Sequence, residues 1–250
     1  MAVDQELNRE VAFKDIKPQH ARRKEAQSRF VVEAEVTGGL EHPGIVPVYG
    51  LGHFPDGRPF YAMRFVRGQS LHDAIREFHQ PRSNDDSLTP DQPSPDRPSS
   101  SERFAERAFR DLINRLIDVC NAMQYAHDRK VLHRDLKPGN IMLGKYGETL
   151  VVDWGLAKAT GVDAPQERST ENELPIIPAS GSQSAPTMAG STIGTPAYMP
   201  PEQADGRIDQ LGPASDVYSL GATLYEILTG QRPLKSEKLP ELLKRVRFFC

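Results

Sequence analysis

The chain has 250 residues, of which 38% are hydrophobic and 26% are charged, and this composition supports a globular fold of one large domain or two small lobes. Because 31 basic and 34 acidic residues leave a net charge of -3, no broad basic field favours binding to nucleic acid. The apolar runs are short, the first residues lack the apolar segment of a secretory signal, and two cysteines make no disulfide framework. We therefore expect a cytoplasmic protein with no membrane segment and no nucleic-acid partner.

The first third of the chain predicts a sheet with one helix. Alternating apolar and polar residues are typical of strands, and a charged run that ends at Gly38-Gly39 is typical of a helix. A Pro-Asp-Gly turn separates the last two strands. The predicted elements are a strand over 10–17, a helix over 22–35, and strands over 45–54 and 58–66.

The last two thirds predict mainly helices. Apolar residues recur at helical spacing through 101–130, which indicates a long amphipathic helix. Residues 215–229 predict a buried helix, with Ser215 as its N-cap and Gly230 as its stop.

Two stretches interrupt this pattern, at 81–101 and at 160–192. Both are rich in serine, proline and charged residues. Such a composition cannot bury enough apolar area to offset the entropy of ordering, so we expect both to be disordered insertions.

Polar residues are concentrated in VLHRDLKPGNIML at 131–143, between two apolar runs. A surface loop could carry this set for solubility alone, so its meaning depends on the rest of the chain. VAFK precedes it at 11–14, LVVDWGLAK follows at 150–158, and GTPAYMPPEQ follows at 194–203. Each short string could arise by chance, but the whole set in this order is specific.

In this order the motifs resemble the eukaryotic-like (Hanks-type) serine/threonine protein kinases, and their wording is most similar to the bacterial branch. The resemblance implies an α+β, two-lobed fold. The N-lobe, 1–66, would hold an antiparallel sheet and helix C, and the C-lobe, 67–250, would be mainly helical. It also implies ATP and Mg²⁺ as cofactors and a protein substrate with a serine or threonine acceptor.

The resemblance assigns the transfer chemistry to a few polar residues. Asp135 matches the aspartate that orients the substrate hydroxyl, Lys137 matches the lysine that meets the γ-phosphate, and Thr195 matches the threonine that hydrogen-bonds both. Asn140 and Asp153 match the Mg²⁺ ligands, and their hard oxygen atoms suit that ion.

The nucleotide would be held by residues of both lobes. Lys14 matches the lysine for the α- and β-phosphates. Counting back from His42-Pro43, which resembles the turn after helix C, makes Glu33 rather than Glu35 its ion-pair partner. The residues that the resemblance places around the adenine ring are Ala12, Met63 as the gatekeeper, Arg64, Val66 and Met142.

Four more residues match structural or regulatory positions. His133 would be a packed residue of the hydrophobic spine, Glu202 the structural glutamate of Ala-Pro-Glu, and Asp216 the helix F aspartate that holds the catalytic loop. Arg134 implies control by phosphorylation, since an arginine there needs an activation-segment phosphate to neutralise it. Candidate phosphorylation sites are Thr187, Ser191 and Thr192, although the composition of this stretch favours a solvated linker over a regulatory site.

The chain also departs from the family pattern. No glycine precedes Lys14, so the N-lobe is expected to lack the glycine-rich loop. The last C-lobe helices are expected to be missing too, and Glu202 would then lack its buried partner. The alternative hypothesis is therefore a truncated kinase-like binding or scaffolding module with little or no catalysis. Phosphorylation of a small molecule is a weaker third idea, because the GTPAYM-PPE stretch is typical of a protein-substrate platform.

Overall fold

The computed structural model describes residues 1–16, 21, 23–80, 100–155, 158–159, 176, 196–234 and 239–248, with the backbone path alone at 100–106, 158–159, 239 and 248. The predicted insertions lie outside the described residues, except for Ile176 and for Ser100 and Ser101. Thr195 and the three candidate phosphorylation sites lie outside them as well.

Four strands and one helix form the N-terminal unit. They are β1 (Ala2–Asp4), β2 (Arg9–Asp15), α1 (Lys24–Gly39), β3 (Val48–His53) and β4 (Pro59–Arg64). The strands form one antiparallel sheet in the order β1-β2-β4-β3. The three predicted strands and the helix are confirmed. Strand β1 was not predicted, because three residues are too few for an alternating pattern to show.

The predicted turn between β3 and β4 is confirmed. Gly57 has φ +81°, a conformation that glycine adopts without the steric cost of a side chain. The amide of Phe54 donates to the carbonyl of Arg58, and the amide of Gly57 donates to the carbonyl of Phe54, both at 2.9 Å. This turn fixes the register in which Leu51 on β3 pairs with Tyr61 on β4, and the other edge of β4 pairs Tyr61 with Lys14 on β2.

Helix α1 covers one face of this sheet through an apolar contact. Its Phe30 ring lies 5.1 Å from the ring of Tyr61, and both side chains are buried together with Ile16 and Ala34. The contact fixes α1 over the strand that carries Lys14, so the acidic residues of α1 can reach that lysine.

The rest of the chain is mainly helical, with short strands. The helices are α2 (Leu71–His79), α3 (Ser100–Asp128), α4 (Pro201–Ala204), α5 (Pro213–Thr229) and α6 (Leu239–Phe248). The strands are β5 (Gly68–Ser70), β6 (Val131–Leu132), β7 (Ile141–Gly144), β8 (Thr149–Val151) and β9 (Lys158–Ala159), which pair in the orders β5-β7-β8 and β6-β9. The predicted α+β class is confirmed. The boundary predicted at residue 66 falls between the two larger sheets.

The helix ends correct two predictions. Helix α3 begins at Ser100, so the last two residues of the predicted insertion 81–101 belong to this helix. Helix α5 begins at Pro213 and has Gly212 as its N-cap, so Ser215 is not the N-cap, because proline favours the first helical position and moves the start upstream. The predicted stop is confirmed, since Gly230 ends α5 with φ +68°.

The main hydrophobic core lies around α3 and supports the polar motif. Leu136 and Ile141 are fully buried within the motif, and Trp154, 1% exposed, is buried just after β8. Close packing restricts the movement of these anchors, so the polar residues between them have fixed positions. Among the described helices, none combines the length and the apolar character that crossing a bilayer requires. Other core members are Val36, Leu71, Ile75, Val119, Met123, Val151 and Ile227.

Candidate active site

The loop over residues 133–140 brings three predicted residues together. Lys137 Nζ lies 2.6 Å from Asp135 Oδ2. Asn140 Nδ2 donates to the Asp135 carbonyl at 2.9 Å and lies 3.3 Å from Oδ2. A short 3-10 turn, Pro138–Asn140, returns the chain toward Asp135. Asn140 therefore holds Asp135 through its backbone carbonyl, and the Lys137 ammonium lies beside its carboxylate.

Asp216 at the start of α5 holds the backbone of this loop. Its carboxylate, 0% exposed, accepts hydrogen bonds from the amides of His133 at 3.0 Å and Arg134 at 2.9 Å, and from His127 Nε2 at 2.9 Å. Burial alone raises the pKa of Asp216, but these bonds outweigh it and leave the pKa below its ordinary value. An ionised aspartate thus fixes the two residues before Asp135.

His133 is a packed residue, as the resemblance implies. Its buried ring lies 4.7 Å from the ring of Trp154. Because a carbonyl only accepts, Nε2 must donate to Val152 O, 3.2 Å away. In the neutral ring Nδ1 then accepts the amide of Asp135 at 3.3 Å. The ring therefore helps to set the peptide that carries Asp135.

Arg134 has a backbone conformation that few residues adopt, at φ +66°. Gln203 on α4 holds this conformation by donating from Nε2 to the Arg134 carbonyl at 3.0 Å. Burial lowers the pKa of Arg134, although Asp216 acts in the opposite direction. Within the described part of the chain, Arg134 Nε is buried without a hydrogen-bond partner.

Lys14 lies between two carboxylates. Its ammonium bonds to Glu33 Oε1 and, at 2.7 Å, to Asp153 Oδ1. Tyr61 donates its hydroxyl to the same Glu33 oxygen at 2.7 Å. Burial is the larger cause and the Glu33 carboxylate the smaller cause of a raised pKa at Tyr61. Burial lowers the pKa of Lys14, but Glu33 and Asp153 outweigh it and raise the pKa overall. Lys14 therefore stays charged at neutral pH, and its partner in α1 is Glu33, not Glu35.

Asp153 and Asn140 are neighbours across the two motifs. The amide of Val152 donates to the Asn140 carbonyl at 2.9 Å, and Asp153 follows with φ +64°. Burial raises the pKa of Asp153, but Lys14 outweighs it, so the pKa is lowered overall. Its side chain is 48% exposed, and the carboxylate is therefore accessible as well as ionised.

The oxygen donors at this point suit a divalent metal ion. Among the described residues, no hydrogen bond is made by Asn140 Oδ1 or by Asp153 Oδ2. The described residues contain no ready-made cluster of three or more His, Cys, Asp or Glu side chains for a metal. Carboxylate and amide oxygens are ligands that hard divalent cations accept.

Comparison with known proteins agrees with this geometry. The protein kinase domain family matches residues 1–247. The chain belongs to the protein kinase family. This kinase chain is 37% identical over 248 residues to serine/threonine-protein kinase PknD of Protochlamydia amoebophila, and the match covers 98% of the chain and 23% of that relative. The PknD proteins of Chlamydia felis and Chlamydia pneumoniae are 33% and 31% identical over 95% of the chain, again covering 23% of each relative.

The kinase chain thus spans less than a quarter of the length of these curated relatives. The predicted resemblance to bacterial Hanks-type kinases and the predicted fold are confirmed. The roles of single residues remain predictions that rest on their geometry.

The predicted adenine residues lie on both sides of the junction between the lobes of the kinase. Ala12 on β2 is paired with Met63 on β4, whereas Met142 lies on β7 in the other sheet. The amide of Arg64 is bound to the Pro47 carbonyl at 2.9 Å. Arg64 and Val66 line a cleft of about 460 Å³ next to the turn between β7 and β8. The other three are not among the residues that line this cleft.

Glu202 of the kinase is hydrogen-bonded to a serine rather than to the arginine that the family pattern implies. The hydroxyl of Ser215 donates to Glu202 Oε1. The same hydroxyl accepts the amide of Gly212 at 3.2 Å. Glu202 is only partly buried, so the desolvation penalty of a fully buried charge does not arise. It links α4 to the first turn of α5.

Proposed function

We propose that this chain transfers the γ-phosphoryl group of ATP, bound with Mg²⁺, to serine and threonine hydroxyls of proteins, including those of its own activation segment. The observation that carries the proposal is the meeting of two clusters. Lys14, held by Glu33, reaches Asp153, and Asp153 adjoins the loop in which Lys137 and Asn140 converge on Asp135.

Positioning and charge would do most of the work in this site. Asp135 would accept a hydrogen bond from the acceptor hydroxyl and orient it in line with the γ-phosphate. Lys137, 2.6 Å from that carboxylate, would place a positive charge where negative charge develops during transfer. Phosphoryl transfer requires little covalent chemistry from the protein, so catalysis depends mainly on positioning the reactants. A rigid loop would provide that positioning.

The nucleotide phosphates would be held by cations. Lys14 remains protonated between its carboxylates and would contact the α- and β-phosphates. Asp153 and Asn140 would hold Mg²⁺, which when bound neutralises charge on the phosphate oxygens.

Arg134 supports regulation by phosphorylation. Its guanidinium forms no ion pair within the described ranges, and burial works against its charge. A phosphate on the activation segment would supply the missing anion through charge-assisted hydrogen bonds. The arginine would then stabilise the loop it belongs to, which carries Asp135.

The test is transfer of labelled γ-phosphate from ATP and Mg²⁺ by the purified chain, to itself and to a generic acceptor protein. Asp135→Asn should lower the rate by at least about 100-fold. Asp209→Asn, on an exposed 3-10 turn, should keep the wild-type rate. A folded chain that binds ATP but transfers no label would instead support the scaffolding hypothesis.

A further inference from the structure

Tyr61 is a buried tyrosine beside the ion pair of Lys14 and Glu33, and it has no part in the transfer mechanism proposed above. It lies on β4 directly opposite Lys14 on β2, so the two side chains are on the same face of the sheet. Tyr61 is 2% exposed, and its hydroxyl donates to Glu33 Oε1 at 2.7 Å. The Lys14 ammonium bonds to that same oxygen and lies 5.8 Å from the centre of the Tyr61 ring. The lysine and the tyrosine therefore meet at one carboxylate oxygen.

Glu33 depends on this bond because it has few donors. It is 8% exposed, and a buried carboxylate is costly unless donors bind it. Among the described residues, Lys14 and Tyr61 are the two that hydrogen-bond to its side chain. The lysine is shared, because its ammonium also bonds to Asp153 Oδ1 at 2.7 Å. Within the described ranges the Tyr61 hydroxyl has Glu33 as its one acceptor, so this bond remains when Lys14 turns toward another anion.

The position of the Tyr61 hydroxyl is fixed by the sheet and by α1. Strand β4 lies between β2 and β3, and the Tyr61 ring packs 5.1 Å from the ring of Phe30 on α1. A buried ring in a close-packed core has little freedom to move. The hydroxyl therefore sets the position of the Glu33 carboxylate relative to β2, which is the strand that carries Lys14.

Packing alone does not account for a tyrosine at this position. Phenylalanine would retain the contacts of the ring with Phe30 and with the apolar cluster around it, whereas a buried hydroxyl costs free energy unless it is bonded. Because a carboxylate only accepts hydrogen bonds, the phenol must supply the proton. Burial first, and then the Glu33 carboxylate, raise the pKa of Tyr61, so the phenol keeps this proton at neutral pH. The hydroxyl is therefore a permanent donor to Glu33.

We propose, on the basis of the function proposed above, that Tyr61 is a positioning residue for phosphoryl transfer. Its hydroxyl holds the Glu33 carboxylate toward Lys14 before ATP binds, and the ammonium is thereby held where the α- and β-phosphates arrive. Tyr61 acts through Glu33 and touches neither the nucleotide nor the metal ion. A cation that is already in place needs less reordering when the phosphates bind, which favours both binding and transfer.

The test compares Tyr61→Phe with the wild-type chain in the transfer of labelled γ-phosphate to a generic acceptor protein. Because the variant loses a hydrogen bond to a charged group, kcat/KM for ATP should fall by about 10-fold. The KM for the acceptor protein at saturating ATP should be unchanged, because the hydroxyl acts on Glu33 alone. Tyr49→Phe, on β3 of the same sheet with a residue that is 40% exposed, is the matched control and should keep the wild-type kcat/KM. Urea unfolding followed by Trp154 fluorescence should show both variants to be folded.

A double-mutant cycle separates this positioning role from a merely structural one. In a chain that carries Glu33→Ala no carboxylate remains to be held, so adding Tyr61→Phe should change kcat/KM for ATP by less than about twofold. An equal loss with and without the Glu33 carboxylate, or no loss in the otherwise wild-type chain, would overturn the inference alone. A wild-type chain that transfers no label would overturn the proposed function and this inference with it.

Discussion

Replacing Asp216 by asparagine should destabilise the loop that carries Asp135. The carboxylate accepts three hydrogen bonds, two on Oδ2 from His133 and His127 and one on Oδ1 from Arg134. An amide has a single acceptor oxygen. If that oxygen takes the place of Oδ2, the NH₂ group of the asparagine takes the place of Oδ1 and faces the amide of Arg134. One buried donor, the Arg134 amide, then has no acceptor.

The expected magnitude follows from these three bonds. A buried donor without a partner costs about 1–3 kcal/mol, and each remaining bond loses about 1 kcal/mol when its acceptor is no longer charged. The neutral amide recovers part of the desolvation penalty of the carboxylate. The free energy of unfolding should therefore fall by about 2–4 kcal/mol, which lowers the urea midpoint by about 1 M for a chain of this size.

The fluorescence of Trp154, the sole tryptophan, reports this unfolding directly. The residue is buried against His133, so it senses the 133–140 loop. Asp209→Asn replaces an exposed aspartate and should stay within about 0.5 kcal/mol of the wild type. If Asp216→Asn also stays within that range, the carboxylate does not hold the loop and the reasoning is refuted.

The same pair of proteins gives a pH dependence of known sign. The pKa of Asp216 is lowered in the folded chain, so its contribution is fully present above the unfolded value, about 3.9, and is lost as the pH falls through the folded value. The stability difference between wild type and Asp216→Asn should be constant near neutral pH and shrink below about pH 4. A difference that grows in acid would show that the carboxylate is not stabilised by folding.

Three further variants test other parts of the structure. Glu33→Gln removes the charged partner of Lys14, which costs about 1.5–3 kcal/mol of interaction free energy. It should lower kcat/KM for ATP by about 10- to 100-fold. An unchanged kcat/KM would show that this ion pair does not contribute to the use of ATP. Gly230→Ala would place a Cβ 2.6 Å from the His79 ring at φ +68° and should cost about 1–3 kcal/mol in urea unfolding. Gly221→Ala, which meets no atom within 4 Å, should instead stabilise α5 by about 0.5–1 kcal/mol, and equal effects at the two glycines would contradict the packing described at the end of α5.

Local sequence patterns predicted the elements and contacts that depend on nearby residues. The long helix α3 shows its apolar spacing over many turns, and Asp135, Lys137 and Asn140 meet within one short loop. Helix α2 is absent from the predicted elements although its sequence carries a signal. Ser70 caps it by accepting the amide of Asp73 at 3.1 Å, and Leu71, Ala74 and Ile75 have helical spacing.

Contacts between distant residues were predicted only where the resemblance supplied them, as for Lys14 with Glu33 and for Asp216 with the backbone before Asp135. Other distant contacts have no signal in the sequence. Tyr61 bonds to Glu33, and Gln203 bonds to the carbonyl of Arg134. Each pair meets only because strands, helices and loops have already taken their places. Before that, a tyrosine in a strand or a glutamine after Pro-Glu has no distinguishing pattern. The same holds for His127, an ordinary residue of an amphipathic helix until α5 brings Asp216 beside it.

The measurement that tests the central claim most directly is transfer between chains. The wild-type chain, with ATP labelled at the γ-phosphate and Mg²⁺, is mixed with an excess of the Asp135→Asn chain carrying a distinguishable mass. Labelled phosphoserine or phosphothreonine should form on the variant chain, and no label should form when every chain carries Asp135→Asn. A wild-type chain that is folded by Trp154 fluorescence and binds ATP, yet places no label on either chain, would contradict the claim that these residues form a phosphoryl-transfer site.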